Sequence, residues 1–292
     1  MIEYNTIILG AGISGISCAI YLKRAGIKTL LIENGTPGGQ LNKADIIENY
    51  PGYVSIGGSE LSMALLQQVQ NYDIDLVYDN ASNIDYKKKV ITVGDTKYSY
   101  KNLVFATGRR ERLLELENEE MLIGRGISLC ATCDGTLYRD KEVIVVGGGS
   151  SAVSEALYLA NIVSKVYLIY RGTELRTEEI LKSKLQLCTN IEVIYESNIT
   201  NYLVDGKSLV GVRLDNGTEI KAEGVFLAIG RIPNSELFTG KKNNGYIIVN
   251  EYGKTSLDNI YACGDVTYKK VYQLVTASSE GVLVASSIIK AS

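Results

Sequence analysis

Two stretches of the chain repeat one hydrophobic pattern. Each opens with an apolar run, Ile7–Leu9 in the first and Val143–Val146 in the second, which is typical of a buried strand. A glycine-rich turn, an amphipathic helix and a second apolar strand follow in both. The two stretches, residues 4–34 and 141–171, align at an offset of 147 − 10 = 137 positions. This repeat predicts two related βαβ units.

The turns carry the glycine spacing of nucleotide-binding βαβ units. The residues at the three spaced positions are Gly10, Gly12 and Gly15 in the first unit and Gly147, Gly149 and Ala152 in the second. The first glycine permits the tight turn, the second lets the backbone approach a pyrophosphate, and the third residue lets helix and strand pack closely. Because the spacing occurs twice, each time between a strand and a helix, we predict two nucleotide sites.

A second repeat indicates how the domains are arranged. Leu103–Arg109 resembles Val225–Arg231 at an offset of 122 positions, and both follow polar, hairpin-like sequence. The stretch Ala262–Asp265 has no counterpart, so we expect it to return and complete the first domain. We therefore predict an α/β fold with two Rossmann-like dinucleotide-binding domains of the three-layer ββα type, the second inserted into the first. The predicted limits are 1–112 with 237–292 for the first domain and 113–236 for the second.

Composition excludes several classes of protein. The 30 basic and 33 acidic side chains give the 292 residues a formal charge of −3, the wrong sign for a dedicated nucleic-acid binder. There is no histidine, which excludes Ser-His-Asp catalysis, Cys-His catalysis and His-ligated metals, and we predict no metal site. No apolar run approaches the roughly 18–20 residues of a membrane span. Met1–Asn5 lacks the basic region of a signal peptide, so we expect a cytoplasmic protein that binds neither nucleic acid nor a membrane.

The residue that ends the second strand indicates which ribose each unit prefers. In the first unit it is Glu33, 33 − 10 = 23 positions after Gly10. A carboxylate there accepts hydrogen bonds from the ribose hydroxyls and repels a 2′-phosphate, which favours FAD or NAD. The aligned residue of the second unit is Tyr170, with Arg171 and Arg176 following. Two cations without an acid favour a 2′-phosphate, as in NADPH, unless they are simply surface arginines near a strand end.

Cys130 and Cys133 form a CxxC motif just before the second unit. Such a motif is a redox dithiol, half of a zinc site or a chance pairing. The other three cysteines of the chain lie in no second CxxC motif, which disfavours a Cys₄ zinc site. A redox dithiol fits two nucleotide domains, because a flavin can pass two electrons to a disulfide. Asp134 is the only nearby proton donor or acceptor, unless it is a solvated turn residue or a helix cap.

These motifs together resemble those of the bacterial low-molecular-weight thioredoxin reductases over essentially the whole chain. The matching segments are GAGISG at 10–15, Gly38–Leu41, Glu48–Gly52, Ala106–Gly108, CATCD at 130–134, GGGSSA at 147–152 and Cys263–Val266. The CxxC motif placed before the second glycine turn distinguishes that family from most flavin oxidoreductases. The resemblance implies a homodimeric FAD enzyme that passes electrons from NADPH through Cys130 and Cys133 to thioredoxin.

The resemblance also assigns roles to individual residues. It implies that Cys133 faces the flavin, that Cys130 attacks the disulfide of thioredoxin, and that Asp134 acts as the acid and base. The residues that it assigns to FAD are Gly10, Gly12, Ile13, Ser14, Gly15, Glu33, Gly38, Gly39, Gln40, Leu41, Asn49, Ala81, Thr107, Gly108, Gly264, Asp265, Gln273, Thr276 and Ala277. Those that it assigns to NADPH are Gly147, Gly149, Ser150, Ser151, Ala152, Arg171 and Arg176.

Three positions depart from the family pattern. The family's phosphate-binding His-Arg-Arg is Tyr170-Arg171-Gly172 here, and Tyr272 replaces an arginine that lies beside FAD in the family. The loss of one charged hydrogen-bonding partner costs roughly 1.5–3 kcal/mol, about 10- to 100-fold in affinity. These changes resemble the ferredoxin-dependent flavin thioredoxin reductases. We favour NADPH as the donor because the glycine turn and two arginines remain, with ferredoxin as the alternative. A small-molecule dithiol oxidase, which shares the fold and the CxxC motif, is a further alternative.

Overall fold

The computed structural model describes residues 1–44 and 46–291. The chain divides into two compact units, and the first is discontinuous: unit 1 is Met1–Arg110 with the segment from Ile232 onward, and unit 2 is Glu111–Arg231. The limits differ slightly from the predicted ones, by 112 − 110 = 2 residues at the first crossing and 237 − 232 = 5 at the second. The two crossings fall within short strands, β9 (Arg109–Glu111) and β18 (Arg231–Pro233), rather than in loops.

Unit 1 begins with alternating strands and helices. Its elements up to the first crossing are β1 (Ile2–Leu9), α1 (Ile13–Arg24), β2 (Thr29–Glu33), β3 (Ile46–Ile47), β4 (Ile56–Gly57), α2 (Gly58–Asn71), β5 (Asp75–Tyr78), β6 (Ala81–Asp85), β7 (Val90–Val93), β8 (Thr96–Phe105) and β9 (Arg109–Glu111). The main sheet has the order β5-β2-β1-β8-β7-β6. β1 pairs in parallel with β2 and β8, with Ile8 opposite both Leu31 and Val104. The paired parts of these strands, Ile7–Leu9, Leu30–Ile32 and Leu103–Phe105, are apolar and buried because both faces of a parallel sheet are covered.

Unit 2 repeats this arrangement on its own core. Its elements are α3 (Glu119–Leu122), β10 (Ile127–Ser128), α4 (Ala131–Asp134), β11 (Glu142–Val146), α5 (Ser150–Ala160), β12 (Lys165–Ile169), α6 (Glu179–Leu187), β13 (Ile191–Ile194), β14 (Ile199–Asp205), β15 (Ser208–Leu214), β16 (Glu219–Lys221) and β17 (Gly224–Leu227). A parallel sheet has the order β10-β17-β11-β12-β13, and β14, β15 and β16 form a separate antiparallel sheet. The predicted α/β class with two Rossmann-like units is confirmed.

The returning segment completes the sheet of unit 1. It contains β18 (Arg231–Pro233), β19 (Lys242–Asn243), β20 (Tyr246–Ile247), β21 (Ile260–Ala262) and α7 (Leu274–Ala291). β21 pairs in parallel with β8, with Ile260 opposite Leu103. Contrary to the expectation that no run approaches a membrane span, α7 is long and apolar enough to cross one by length and composition, and it is alone in this among the described residues. One face of α7, including Val284 and Ile288, is buried in the core of unit 1 with residues of α1, as in a core helix.

Candidate functional site

The first glycine turn is tight at its two ends and open in the middle. Gly10 has φ +104°, and a Cβ atom there would lie 2.4 Å from the carbonyl oxygen of Ala106. A Cβ atom on Gly15 would lie 2.0 Å from the carbonyl oxygen of Gly10. By contrast, no atom lies within 4 Å of a Cβ built on Gly12, where α1 begins. The turn therefore packs where it must bend and leaves its backbone open where a pyrophosphate would approach.

Glu33 is held at the end of β2 by two backbone amides. Its Oε2 accepts a hydrogen bond of 2.8 Å from the N–H of Ala11, and its Oε1 accepts one of 2.8 Å from the N–H of Gly35. The carboxylate is thereby fixed beside the glycine turn, where sequence reasoning expects it to meet a ribose.

Several of the predicted FAD contacts meet at this turn. The N–H of Gly38 donates to the carbonyl oxygen of Ala11 at 2.7 Å. A Cβ atom built on Gly39 would lie 3.6 Å from the Cα of Gly12. On the other side, a Cβ atom built on Gly264 would lie 2.3 Å from the Oγ of Ser14. The backbone of two separate segments, at Gly38–Gly39 and at Gly264, thus lies against the start of α1.

A buried apolar cluster lies beside these segments and joins three more predicted contacts, namely Ile13, Leu41 and Ala277. Close to it, the Nδ2 of Asn49 donates to the Oε1 of Gln273 at 3.3 Å. At the start of α7, the Oγ1 of Thr276 accepts a hydrogen bond of 3.2 Å from the N–H of Gln273, the residue just before the helix.

The remaining predicted FAD contacts, Thr107, Gly108 and Ala81, are held in position by hydrogen bonds and strand pairing of their own backbone. Asn234 donates from Nδ2 to the carbonyl oxygen of Thr107 at 2.8 Å and from its N–H to that of Gly108 at 3.0 Å. Ala81 opens β6 just after Asp79, whose N–H donates to the carbonyl oxygen of Glu33. Ala81 itself pairs with Val93 of β7, so its position is set by the sheet.

Asp265 forms an ion pair that the sequence did not reveal. Both Nε and Nη2 of Arg109 donate to its Oδ2, at 3.1 and 2.8 Å. The guanidinium also lies over the ring of Tyr272, 3.9 Å from the ring centroid. The two charged side chains are only 14% and 19% exposed. Tyr272 thus stands where the family has an arginine, and its ring stacks on the guanidinium of a different arginine, Arg109.

Gln40 lies against the same arginine. Its Nε2 donates to the carbonyl oxygen of Arg109 at 2.9 Å. Its Oε1 is buried and accepts no hydrogen bond from the described residues. A buried acceptor without a donor costs free energy, which indicates that a bound group supplies the donor.

The CxxC motif forms the first turn of α4. The Sγ atoms of Cys130 and Cys133 are joined in a disulfide, with a Cα–Cα distance of 5.3 Å. Cys130 precedes the helix, and its Sγ accepts a hydrogen bond of 3.3 Å from the N–H of Cys133. Cys133 is exposed and Cys130 is half-buried. Among the described residues no group of three or more Cys, Asp or Glu side chains could hold a metal ion.

Asp134 is oriented by a neighbour that sequence reasoning missed. The Oγ of Ser128 donates to Oδ2 of Asp134 at 2.7 Å, and it accepts a hydrogen bond of 3.1 Å from the N–H of Cys130. Ser128 is buried at the end of β10. The sequence signal for this role of Ser128 was its closeness to the motif, two residues before Cys130 and six before Asp134.

The second glycine turn repeats the geometry of the first. Gly147 has φ +143°, and a Cβ atom there would lie 2.4 Å from the carbonyl oxygen of Ala228. Gly149 begins α5, with no atom within 4 Å of a Cβ built on it. The N–H of Arg176 donates to the carbonyl oxygen of Gly148 at 2.7 Å.

The other predicted NADPH contacts surround this turn. Ser150 shares a hydrogen bond of 3.1 Å with the hydroxyl of Thr177, Ser151 is exposed, and Ala152 is fully buried. Arg171 and Arg176 are both exposed.

Comparison with known proteins places the chain in a family. Residues 4–281 match the family described as pyridine nucleotide-disulphide oxidoreductase. The chain belongs to this family. A curated relative, the thioredoxin reductase of Listeria monocytogenes, is 37% identical over 98% of this chain and 93% of its own.

Solved structures of this family share the fold. The thioredoxin reductase of Lactococcus lactis superposes with a TM-score of 0.85 at 35% identity, covering 98% of both chains. A ferredoxin-flavin thioredoxin reductase from Clostridium acetobutylicum superposes with a TM-score of 0.55 at 28% identity, covering 99% of this chain and 98% of its own.

The residues of unit 1 fit the flavin that the family implies. The backbone at Gly12 is open, Glu33 is fixed beside it, and the Oε1 of Gln40 lacks a donor among the described residues. These features are what a dinucleotide needs from a glycine turn and from the groups around it.

The residues of unit 2 fit the family's pyridine nucleotide only at one end. The backbone at Gly149 is open, as the pyrophosphate requires. At the ribose end, however, the ring of Tyr170 covers Gly148, where a Cβ atom would lie 2.3 Å from the ring. The two glycine turns of this oxidoreductase are therefore alike in backbone and different in what lies over them.

Proposed function

We propose that the chain is a flavin-dependent thioredoxin reductase that passes two electrons through Cys130 and Cys133 to the disulfide of thioredoxin. The observation that carries this proposal is the disulfide between these cysteines, on a CxxC motif, in a chain with two Rossmann-like units. Full-length similarity to bacterial thioredoxin reductases supports it.

Unit 1 holds the flavin in this proposal. The open backbone at Gly12 receives the pyrophosphate, Glu33 binds the ribose, and Gln40 and Asp265 supply polar groups nearer the ring system. Bound FAD supplies the two-electron chemistry that opens the Cys130–Cys133 disulfide. Asp265 enters this role already neutralised, since its Oδ2 accepts two hydrogen bonds from Arg109.

The protein's own thiols carry out the second half of the reaction. The thiolate of Cys130 attacks one sulfur of the thioredoxin disulfide, and the other sulfur leaves as a thiolate. Cys133 then attacks the mixed disulfide, which restores the Cys130–Cys133 disulfide and releases thioredoxin with two thiols. Two thiols are oxidised and one disulfide is reduced, so electrons balance. Asp134, oriented by Ser128 at 2.7 Å, delivers and accepts the protons.

Two electron donors are compatible with this pathway. NADPH is favoured by the open backbone at Gly149 and by the retained Arg171 and Arg176. Ferredoxin is favoured by Tyr170 and Gly172, where the family's phosphate-binding residues are absent, and by the likeness to the ferredoxin-flavin enzyme of Clostridium acetobutylicum.

The proposed function is tested without choosing a donor. The FAD-loaded enzyme is reduced anaerobically with one equivalent of dithionite and mixed with oxidised thioredoxin, and new thioredoxin thiols are counted. We expect two thiols per enzyme, on released thioredoxin, from the native chain. Cys133→Ser should release no reduced thioredoxin, because the mixed disulfide that Cys130 forms cannot be resolved without Cys133. Cys188→Ser, which changes a cysteine outside the motif, is the matched control and should behave like the native chain. Release of thioredoxin with two thiols by Cys133→Ser would contradict the proposal, and oxygen uptake with a small dithiol alone would indicate a dithiol oxidase.

We propose a cytoplasmic homodimer as the working state. The location is supported by Cys18, Cys188 and Cys263, which remain thiols in a chain that holds a disulfide only at its CxxC motif among the described residues. The dimer follows from the family resemblance, and light scattering of the FAD-loaded protein tests it.

A further inference from the structure

Tyr170 occupies the place in unit 2 that Glu33 occupies in unit 1, since 170 − 33 = 137 is the offset of the repeat. Glu33 reaches the N–H of Ala11 with a single carboxylate oxygen. The aligned contact in unit 2 is made by an aromatic ring, which lies over Gly148, the counterpart of Ala11. An edge of that ring, from Cγ to Cε2, is within 2.4 Å of a Cβ built on Gly148.

The same ring also contacts the following loop. A Cβ atom built on Gly172 would lie 2.6 Å from Cε1 of Tyr170 and 2.9 Å from its hydroxyl oxygen. Such distances are shorter than real Cβ contacts, so the ring lies directly on the backbone of both glycines. Gly172 stands where the family has its second phosphate-binding arginine. The change at 172 therefore removes a cation and also provides the space into which the ring of Tyr170 fits.

A carboxylate adds to this obstruction. A cavity of about 430 Å³ is lined by Tyr170, Gly172, Thr173, Glu174, Leu175 and Arg176. Glu174 forms an ion pair of 2.9 Å with Lys182, which lowers the pKa of Glu174 and keeps it ionised at neutral pH. Lys182 is shared with Glu179, also at 2.9 Å. Lys182 is thus shared by two carboxylates, and the cavity that a 2′-phosphate would enter is lined by the carboxylate of Glu174 as well as by Arg176.

We propose that Tyr170, lying on Gly148 and Gly172, closes the ribose end of the second glycine turn, so that unit 2 rejects NADPH and NADH. This inference rests on the proposed reductase function and excludes the nicotinamide dinucleotides as its electron donor. Reduced ferredoxin, the other donor that the proposed function names, would then supply the two electrons that open the Cys130–Cys133 disulfide, one from each of two ferredoxins. Two reduced ferredoxins become oxidised, and two protons from solvent complete the two thiols.

Ligand binding tests the closure directly. Calorimetry with NADP⁺, NAD⁺ and 2′,5′-ADP should show no binding to the native FAD-loaded chain at millimolar ligand. Tyr170→Ala should open the site to all three ligands. Adding Gly172→Arg to Tyr170→Ala should strengthen binding of 2′,5′-ADP by a further factor of about 10 to 100, because it restores one charged phosphate contact. Tyr252→Ala, which changes an exposed tyrosine of unit 1, is the control and should bind as weakly as the native chain.

Electron transfer gives the second readout. In anaerobic stopped flow, reduced ferredoxin should bleach the flavin of the native chain, whereas NADPH and NADH should not. Micromolar binding of any of the three ligands to the native chain, or rapid bleaching by NADPH or NADH, would overturn the inference even if Tyr170→Ala does not fold. An unchanged affinity in a folded Tyr170→Ala would do the same. Thiol transfer to thioredoxin from dithionite-reduced enzyme is independent of these results, so failure of the reductase function is recognised separately.

Discussion

The two glycine turns of this chain show how one backbone serves two different purposes. Both begin with a left-handed glycine that packs on a neighbouring carbonyl, and both leave the next glycine of the motif open. They differ in the side chain that ends the second strand, Glu33 in unit 1 and Tyr170 in unit 2. In the proposed function the carboxylate of Glu33 leaves room for a ribose and binds it, whereas the ring of Tyr170 lies on the backbone of Gly148. The backbone therefore determines that a nucleotide can approach, and one side chain determines whether it does.

Substitutions at the third position of the glycine motif, Gly15 in unit 1 and Ala152 in unit 2, should show the largest difference in stability between the two units. Gly15→Ala places a Cβ atom 2.0 Å from the carbonyl oxygen of Gly10, which cannot move because it belongs to the same turn. We expect a loss of about 3 kcal/mol or more in the free energy of unfolding, as for other overpacked sites, together with loss of FAD. Flavin absorbance after gel filtration and urea denaturation measure both effects.

The matched change in unit 2 runs in the opposite direction. Ala152 already carries a Cβ atom and is fully buried, so Ala152→Gly removes contacts and adds backbone freedom. This should cost about 1 kcal/mol and leave FAD binding unchanged. If Gly15→Ala were as mild as Ala152→Gly, the two turns would not differ as their geometry indicates.

The arginines of the second repeat allow another comparison. Arg109 and Arg231 are 122 positions apart and aligned, yet Arg109 binds Asp265 at 2.8 Å and is 14% exposed, whereas Arg231 lies 3.5 Å from Glu111 and is 42% exposed. Arg109→Ala leaves a mostly buried carboxylate without its cation. We expect a destabilisation of about 2 kcal/mol, and weaker FAD binding because Asp265 is no longer held in place.

Arg231→Ala is the matched control for this change. This change also removes a cation from a mostly buried carboxylate, Glu111, which is 8% exposed, so we expect a destabilisation of similar size, about 2 kcal/mol. FAD binding should be unaltered, because Glu111 belongs to unit 2. Fluorescence titration of the apoprotein with FAD compares the two variants. Equal effects of the two changes on FAD affinity would contradict the role given to Arg109.

The features that the sequence predicted correctly depend on short spacing. The glycine turns and the disulfide of Cys130 and Cys133 each involve residues only a few positions apart, so a short sequence motif is enough to predict them. The pairing of Arg109 with Asp265 joins residues 156 positions apart and depends on β8 and β21 lying side by side, which no local pattern reveals. The direction of the Tyr170 ring likewise depends on two glycines on different segments. Sequence reasoning identified Tyr170 as a departure but could not show that its ring lies on Gly148.

The pH dependence of stability should distinguish the two helices that follow the glycine turns. Glu155 on α5 aligns with the fully buried Cys18 on α1, since 155 − 137 = 18. Burial raises the pKa of Glu155 from 4.5 to about 7, with Glu111 adding to this rise and Arg231 opposing it. The folded protein therefore holds this proton more tightly than the unfolded chain does.

The sign of the effect follows from this difference. As the pH rises from 4.5 to about 7, the unfolded chain releases the proton first, so stability falls across this window and levels off above it. We expect Glu155 to account for about 1–2 kcal/mol of this fall, less than the full shift implies because the side chain retains some contact with solvent. Glu155→Gln should remove that part of the slope in urea denaturation between these pH values. The same slope in Glu155→Gln and in a control, the exposed Glu251→Gln, would show that Glu155 does not hold this proton.

The smallest effect should come from the contact between Tyr170 and Gly172. Gly172→Ala places a Cβ atom 2.6 Å from the ring, and the ring can shift partly out of the way, so we expect a destabilisation of about 1 kcal/mol. In a Tyr170→Ala background the same change should cost nothing, because no ring is present to meet the added methyl group. Denaturation midpoints of the native chain, the two single variants and the double variant complete this cycle. Additive effects would mean that the ring does not lie on Gly172, and the ribose end of unit 2 would then be as open as that of unit 1.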